Sequence, residues 1–149
     1  MIFSGTIIGS SILATTVLIF LRACTKPLRM GILGMEKVKI ETRMEVDSTL
    51  LDPNKISALG IILNELFTNS MKYSFEGKPS GRISFSAKEK TGYLQIEYAD
   101  DGIPMDPNVD LEHSVGFGLN LISMLIRQLN GKVTLNRISG NHFYIEVPL

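Results

Sequence analysis

In residues 37–46, Val38, Ile40, Thr42, Met44 and Val46 alternate strictly with Lys37, Lys39, Glu41, Arg43 and Glu45. A period of two puts the first set on one face of a strand and the charged set on the other. One wet face implies a sheet covered on a single side, which restricts the chain to a layered fold.

The rest of the chain supplies that cover. Leu59, Ile62, Leu63, Leu66 and Phe67 recur at helical spacing, so a helix should start at Asp52-Pro53-Asn54 and run to about Tyr73. After a loop over residues 77–81, Ile83, Phe85 and Ala87, then Leu94, Ile96 and Tyr98, read as two inward-facing strand sets. Residues 88–92 join them as a hairpin turn. Residues 100–114 lack periodicity and hold Pro104 and Pro107, which reads as a loop. Leu119, Ile122, Leu125, Ile126 and Leu129 mark a second amphipathic helix, ended by Asn130-Gly131. A last hairpin sets Val133 and Leu135 against Phe143, Ile145 and Val147 across Ser139-Gly140-Asn141. The expected fold is α+β: a two-layer α/β sandwich whose mixed, mostly antiparallel sheet carries helices on one face.

With 149 residues, the chain reads as one domain preceded by an unusual leader. Residues 1–21 hold no charge, and 12–21 are nearly all apolar, followed by Arg22, Lys26 and Arg29. We read residues 1–34 as an apolar helix and its connection, and residues 35–149 as the main domain. The helix would be buried in the domain or in a homodimer interface; a membrane anchor with its basic flank on the cytoplasmic side is the alternative. Lysine plus arginine and aspartate plus glutamate balance at 15 each, so no basic excess points to nucleic acid. Cys24 stands alone, which excludes a disulfide framework and fits a reducing compartment.

Chemistry concentrates in three places. Glu65 and Asn69 are four apart and Lys72 three further, so at about 100° per residue they share one narrow sector beside the apolar stripe. A polar row along the edge of a buried stripe suits the wall of a ligand cleft. Asn69 offers a carbonyl oxygen suited to Mg²⁺, and Glu65 a carboxylate able to orient or deprotonate a nucleophile. A solvated helix face is the plain alternative for both. Counted from Leu94, Asp100 in Asp100-Asp101-Gly102 points inward at a strand end, where a carboxylate needs donors. An ordinary Asp-Gly turn is the alternative. Gly116-Phe117-Gly118-Leu119 opens the second helix, where bare backbone N–H groups favour an anion; easier helix entry is the plain reading. His113 and His142 lie in no metal-binding spacing.

In this order and spacing, the three pieces resemble the ATP-binding domain shared by sensor histidine kinases, anti-sigma-factor kinases, gyrase-type topoisomerases and Hsp90 chaperones. Asn64-Glu65-Leu66-Phe67-Thr68-Asn69-Ser70-Met71-Lys72-Tyr73 looks like the N box of that family. Asp100-Asp101-Gly102 is similar to its first glycine box and Gly116-Phe117-Gly118-Leu119-Asn120-Leu121 to its second. The match extends over roughly residues 37–149, closest to the histidine kinases without the usual phenylalanine box. It implies a Bergerat-type fold with ATP and Mg²⁺ as cofactors. It implies that Asn69 ligates the metal, that Glu65 acts as general base or as a polarising residue, and that Asp100 accepts from the adenine amino group. Gly102 would let backbone approach the base, Gly116, Gly118 and Leu119 would cap the phosphates, Lys72 would neutralise them, and Tyr73 would pack near the nucleotide. Asn141 stands where the family usually has Thr after Gly140, and would keep a polar contact. Gly102-Ile103-Pro104 lacks the usual second glycine.

No phosphoacceptor helix is visible, so the phosphoryl group is expected to go to a histidine on another domain and then to a response regulator, in the cytoplasm. The alternatives are a serine/threonine kinase of the anti-sigma type, or a degenerate nucleotide-binding or interaction module.

Overall fold

The computed structural model describes residues 3–8, 39–47, 51–109, 111 and 117–149. Its strands are β1 (Phe3–Ile8), β2 (Lys39–Val46), β3 (Ser80–Lys90), β4 (Tyr93–Asp100), β5 (Lys132–Asn136) and β6 (Asn141–Pro148). Among the described residues there are two α-helices, α1 (Pro53–Asn69) and α2 (Phe117–Gln128), and a π-helical turn, Ser70–Ser74, extends α1. One six-stranded sheet runs in the order β1-β2-β3-β4-β6-β5. β1 and β3 lie parallel to β2, while β3–β4, β4–β6 and β6–β5 are antiparallel.

The period-two pattern decides which face is covered. Ile40, Met44, Val46, Ile83, Phe85, Ala87, Leu94, Ile96 and Tyr98 are buried, with Phe143, Ile145 and Val147 beside them on β6. Phe85 pairs with Tyr98 and Tyr98 with Phe143 in register, so a continuous apolar ridge crosses three strands. Onto it pack Leu59, Ile62, Leu63, Leu66 and Phe67 of α1 and Ile122, Leu125 and Ile126 of α2. Each such side chain contributes about 1.5–3 kcal/mol when fully buried. The two-layer α+β sandwich, with helices on one face, is therefore the observed fold.

Local signals explain the helix ends. Asp52 accepts from Asn54 N at 2.7 Å, and Pro53 takes the first helical position, where its missing N–H costs nothing. α2 closes as Asn130-Gly131 suggests: Asn130 has φ 54°, and Gly131 N donates to Ile126 O at 2.8 Å.

Three expectations are corrected. β1 falls within the stretch read as helix and connection; Ser4, Gly5 and Thr6 give it no alternation, and its pairing with β2 creates it. The apolar helix expected within residues 10–24 lies outside the described residues. The hairpin turn is shorter than residues 88–92, because Lys88 and Lys90 stay in register with Gln95 and Tyr93, leaving only Thr91 and Gly92 between the strands. Regular α-helix ends at Asn69, and the next turn widens, with Phe75 N donating to Ser70 O at 3.1 Å. No helix among the described residues is long and apolar enough to cross a membrane.

Candidate functional site

A cavity of about 740 Å³ opens where the end of α1, the π turn, the segment after β4 and the start of α2 converge. Glu65, Asn69 and Lys72 line one wall, as their shared helical sector predicts, and Tyr73 lies beside them. Gly118 and Leu119 line the opposite wall, with Asp100 and Asn141 at the sheet. The two walls are close. A Cβ added to Gly118 would sit 2.7 Å from Glu65 Oε2 and 3.8 Å from Asn69 Nδ2. Glycine thus lets the first turn of α2 reach the carboxylate and carboxamide of α1. Gly102 does not line the cavity; it lies behind Asp100 and donates its N–H to Asp100 Oδ1 at 3.0 Å. Gly116 lies outside the described residues. Tyr73 keeps 65% of its surface exposed, so its ring forms a rim rather than a packed wall.

Asp100 is buried and does point inward. Its position follows from register: β4 alternates, and Asp100 pairs with Ile83 on one side and Asn141 on the other. The burial is tolerated because donors converge on the carboxylate. Ser70 Oγ donates to Oδ2 at 2.6 Å and Ser74 Oγ at 3.1 Å. Asn141 Nδ2 lies 3.2 Å from Oδ1 and 3.3 Å from Oδ2. Since the single Ser70 hydrogen goes to the carboxylate, the Tyr98 hydroxyl, 2.9 Å away, must be the donor to Ser70 Oγ. Burial pushes the Tyr98 phenol well above its usual range, and the Asp100 charge adds to the rise.

Asn141 also ties the sheet to the loop after β4. Its Oδ1 accepts from Met105 N at 2.7 Å, and its Nδ2 reaches Ile103 O at 3.1 Å. Ser70 and Ser74 carry no assigned role in the sequence reading, although two small hydroxyl residues four apart just beyond an apolar stripe are a readable sign. Tyr98 is legible as inward but not as a hydrogen-bond donor.

Glu65 and Asn69 are hard oxygen donors, and no group of three or more His, Cys, Asp or Glu side chains among the described residues could hold a metal. Two such donors fit a Mg²⁺ ion that takes the rest of its shell from phosphate and water. The cavity therefore has a metal-compatible polar wall, a backbone-rich helix start and a buried acceptor, in one space large enough for a nucleotide-sized ligand.

Residues 54–149, more than half of the chain, match the model for histidine kinase-, DNA gyrase B- and HSP90-like ATPases. Blue-light-activated histidine kinase 1 of Erythrobacter litoralis is 31% identical over 83 residues, covering 56% of this chain and 23% of that protein. Sensor histidine kinase PdtaS of Mycobacterium tuberculosis is 25% identical over 107 residues, covering 69% of this chain and 21% of that one. The chain thus spans about a fifth of these relatives. Among solved structures, the histidine kinase domain of the E. litoralis EL346 blue-light-activated histidine kinase superposes with a TM-score of 0.73 at 18% identity, covering 92% of this chain and 59% of that one. Acinetobacter baumannii histidine kinase AdeS gives a TM-score of 0.69 at 21% identity, covering 90% and 63%. Those likenesses show a common fold. The extent of the family match shows more: the chain belongs to the histidine kinase-, DNA gyrase B- and HSP90-like ATPases.

Proposed function

We propose that this chain is the Mg-ATP-binding catalytic domain of a two-component sensor histidine kinase, which passes the γ-phosphoryl group to a histidine outside the chain. The observation that carries this reading is the convergence of Glu65, Asn69 and Asp100 on one cavity. Asp100 accepts from the adenine amino group, and Gly102 keeps the backbone close to it. Backbone N–H groups of Gly118 and Leu119 face the phosphates at the positive end of α2, the role that the resemblance also gives Gly116. Lys72 supplies a positive charge, Tyr73 covers the nucleotide at the rim, and Asn141 holds the acceptor from the sheet side.

Asn69 holds the metal with its side-chain oxygen; magnesium neutralises phosphate charge when bound. Glu65 orients or deprotonates the incoming nucleophile. Phosphoryl transfer depends mainly on positioning and charge stabilisation, so these roles suffice. On this reading the partners are a phosphoacceptor histidine domain and a response regulator, in the cytoplasm.

Saturating ATP with Mg²⁺ should stabilise the native state; at a hundredfold excess over Kd the gain is about 2.7 kcal/mol, or roughly 5–10 °C in Tm. Asp100→Asn should remove that shift. Glu65→Gln should retain it, yet leave no acid-labile label on a histidine acceptor supplied with γ-labelled ATP. Absence of any shift at millimolar Mg-ATP would refute the nucleotide site; binding with transfer to serine would refute the histidine acceptor.

A further inference from the structure

Asp100 is already ringed by donors. An ionised carboxylate offers about four acceptor positions, and four groups lie within hydrogen-bond distance of it: Gly102 N, Ser70 Oγ, Ser74 Oγ and, through hydrogens shared with other acceptors, Asn141 Nδ2. A ligand amino group can pair with Asp100 only if one of these yields. Gly102 is fixed by the backbone at the strand end. Ser70 makes the shortest contact, 2.6 Å, and accepts from Tyr98 in turn. Ser74 Oγ gives its one hydrogen to Oδ2 at 3.1 Å, and Asn141 differs from all three. Its two Nδ2 hydrogens have two further acceptors, Ser74 Oγ at 3.0 Å and Ile103 O at 3.1 Å, both nearer than either oxygen of Asp100. It can release the carboxylate with both hydrogens still bonded, while its Oδ1 stays on Met105 N.

We propose that Asn141 is a specificity-determining residue: it fills Asp100 when a purine nucleotide brings no 6-amino group, and yields its place when one is present. The inference rests on the reading of Asp100 as the base acceptor. Its consequence is tolerance. Purine nucleotides lacking the amino group leave no unpaired buried acceptor, because Asn141 remains to satisfy it.

The test is calorimetric Kd for ATP and for purine riboside triphosphate, which lacks the 6-amino group, each with Mg²⁺, in wild type and Asn141→Ala. Loss of the loop contacts weakens both ligands alike and cancels in the ratio. The ratio of the two Kd values should widen about tenfold in the variant, since only the nucleotide without the amino group then leaves Asp100 short of a donor. An unchanged or narrower ratio overturns the inference while the ATP site stands. Failure of wild type to bind ATP removes both readings. The wild-type chain with ¹⁵N-labelled asparagine gives a second measurement that does not depend on the variant folding. The Asn141 side-chain amide resonances should move on adding ATP and stay near their free positions with purine riboside triphosphate; equal movement with both ligands overturns the inference.

Discussion

A Cβ on Gly102 would lie 2.3 Å from Ser74 Cβ and 2.5 Å from Ser74 O. That carbonyl accepts from Ile103 N at 2.8 Å, so the end of β4 and the π turn touch backbone to backbone. Gly102→Ala must push them apart, and overpacking of this kind costs about 2–3 kcal/mol. Because Gly102 N also holds Asp100 Oδ1, ATP affinity should fall at least roughly tenfold, one charged hydrogen bond being worth that much. Urea unfolding and calorimetry check both, and an unchanged midpoint would contradict the close approach. The inward turn of Asp100 is legible by counting from Leu94, since alternation is a local property. Its donors are not. Ser70, Ser74 and Asn141 come from distant parts of the sequence, and only the packing of the π turn against β4 and β6 brings them to one carboxylate.

Among the elements, the π turn is the one whose shape the sequence hides. Spacing beyond Asn69 still reads as helix, yet the wider turn directs both Ser70 and Ser74 at Asp100 Oδ2. Such turns recur at functional sites. The two serines should not be equivalent. Ser70→Ala removes the shortest donor to Asp100 and the acceptor of Tyr98, leaving two buried groups short; the expected loss is about 2–4 kcal/mol. Ser74→Ala should cost about 1 kcal/mol, because Asn141 Nδ2 remains within reach of the same oxygen. Thermal unfolding of the two variants tests this, and equal losses would argue against the Tyr98–Ser70–Asp100 chain. The strands show the opposite limit. β2, β3, β4 and β6 alternate and are readable, whereas β1 is held by its parallel pairing and has no pattern of its own.

At the scale of the molecule, the polar floor of the cavity is continuous with the apolar core. Tyr98 joins them: its ring meets Phe143 edge-on at 6.3 Å between centroids, and its hydroxyl donates to Ser70. A phenol so placed resists ionisation, because the phenolate would be buried beside Asp100. The direction of the pH effect follows. Above about pH 10 the unfolded chain releases the Tyr98 proton while the folded chain keeps it. The unfolded state then binds fewer protons, and stability falls by up to about 1.4 kcal/mol per pH unit. The contribution is complete below pH 10 and is lost above it. Tyr98→Phe should cost about 1 kcal/mol at neutral pH, for the missing hydrogen bond, and should then decline more gently than wild type between pH 10 and 11.5. Urea unfolding across that interval, with absorbance near 295 nm reporting phenolate, measures the difference. Parallel decline in the two proteins would mean that Tyr98 ionises freely in the folded state, which its burial between the core and the Asp100 carboxylate does not allow.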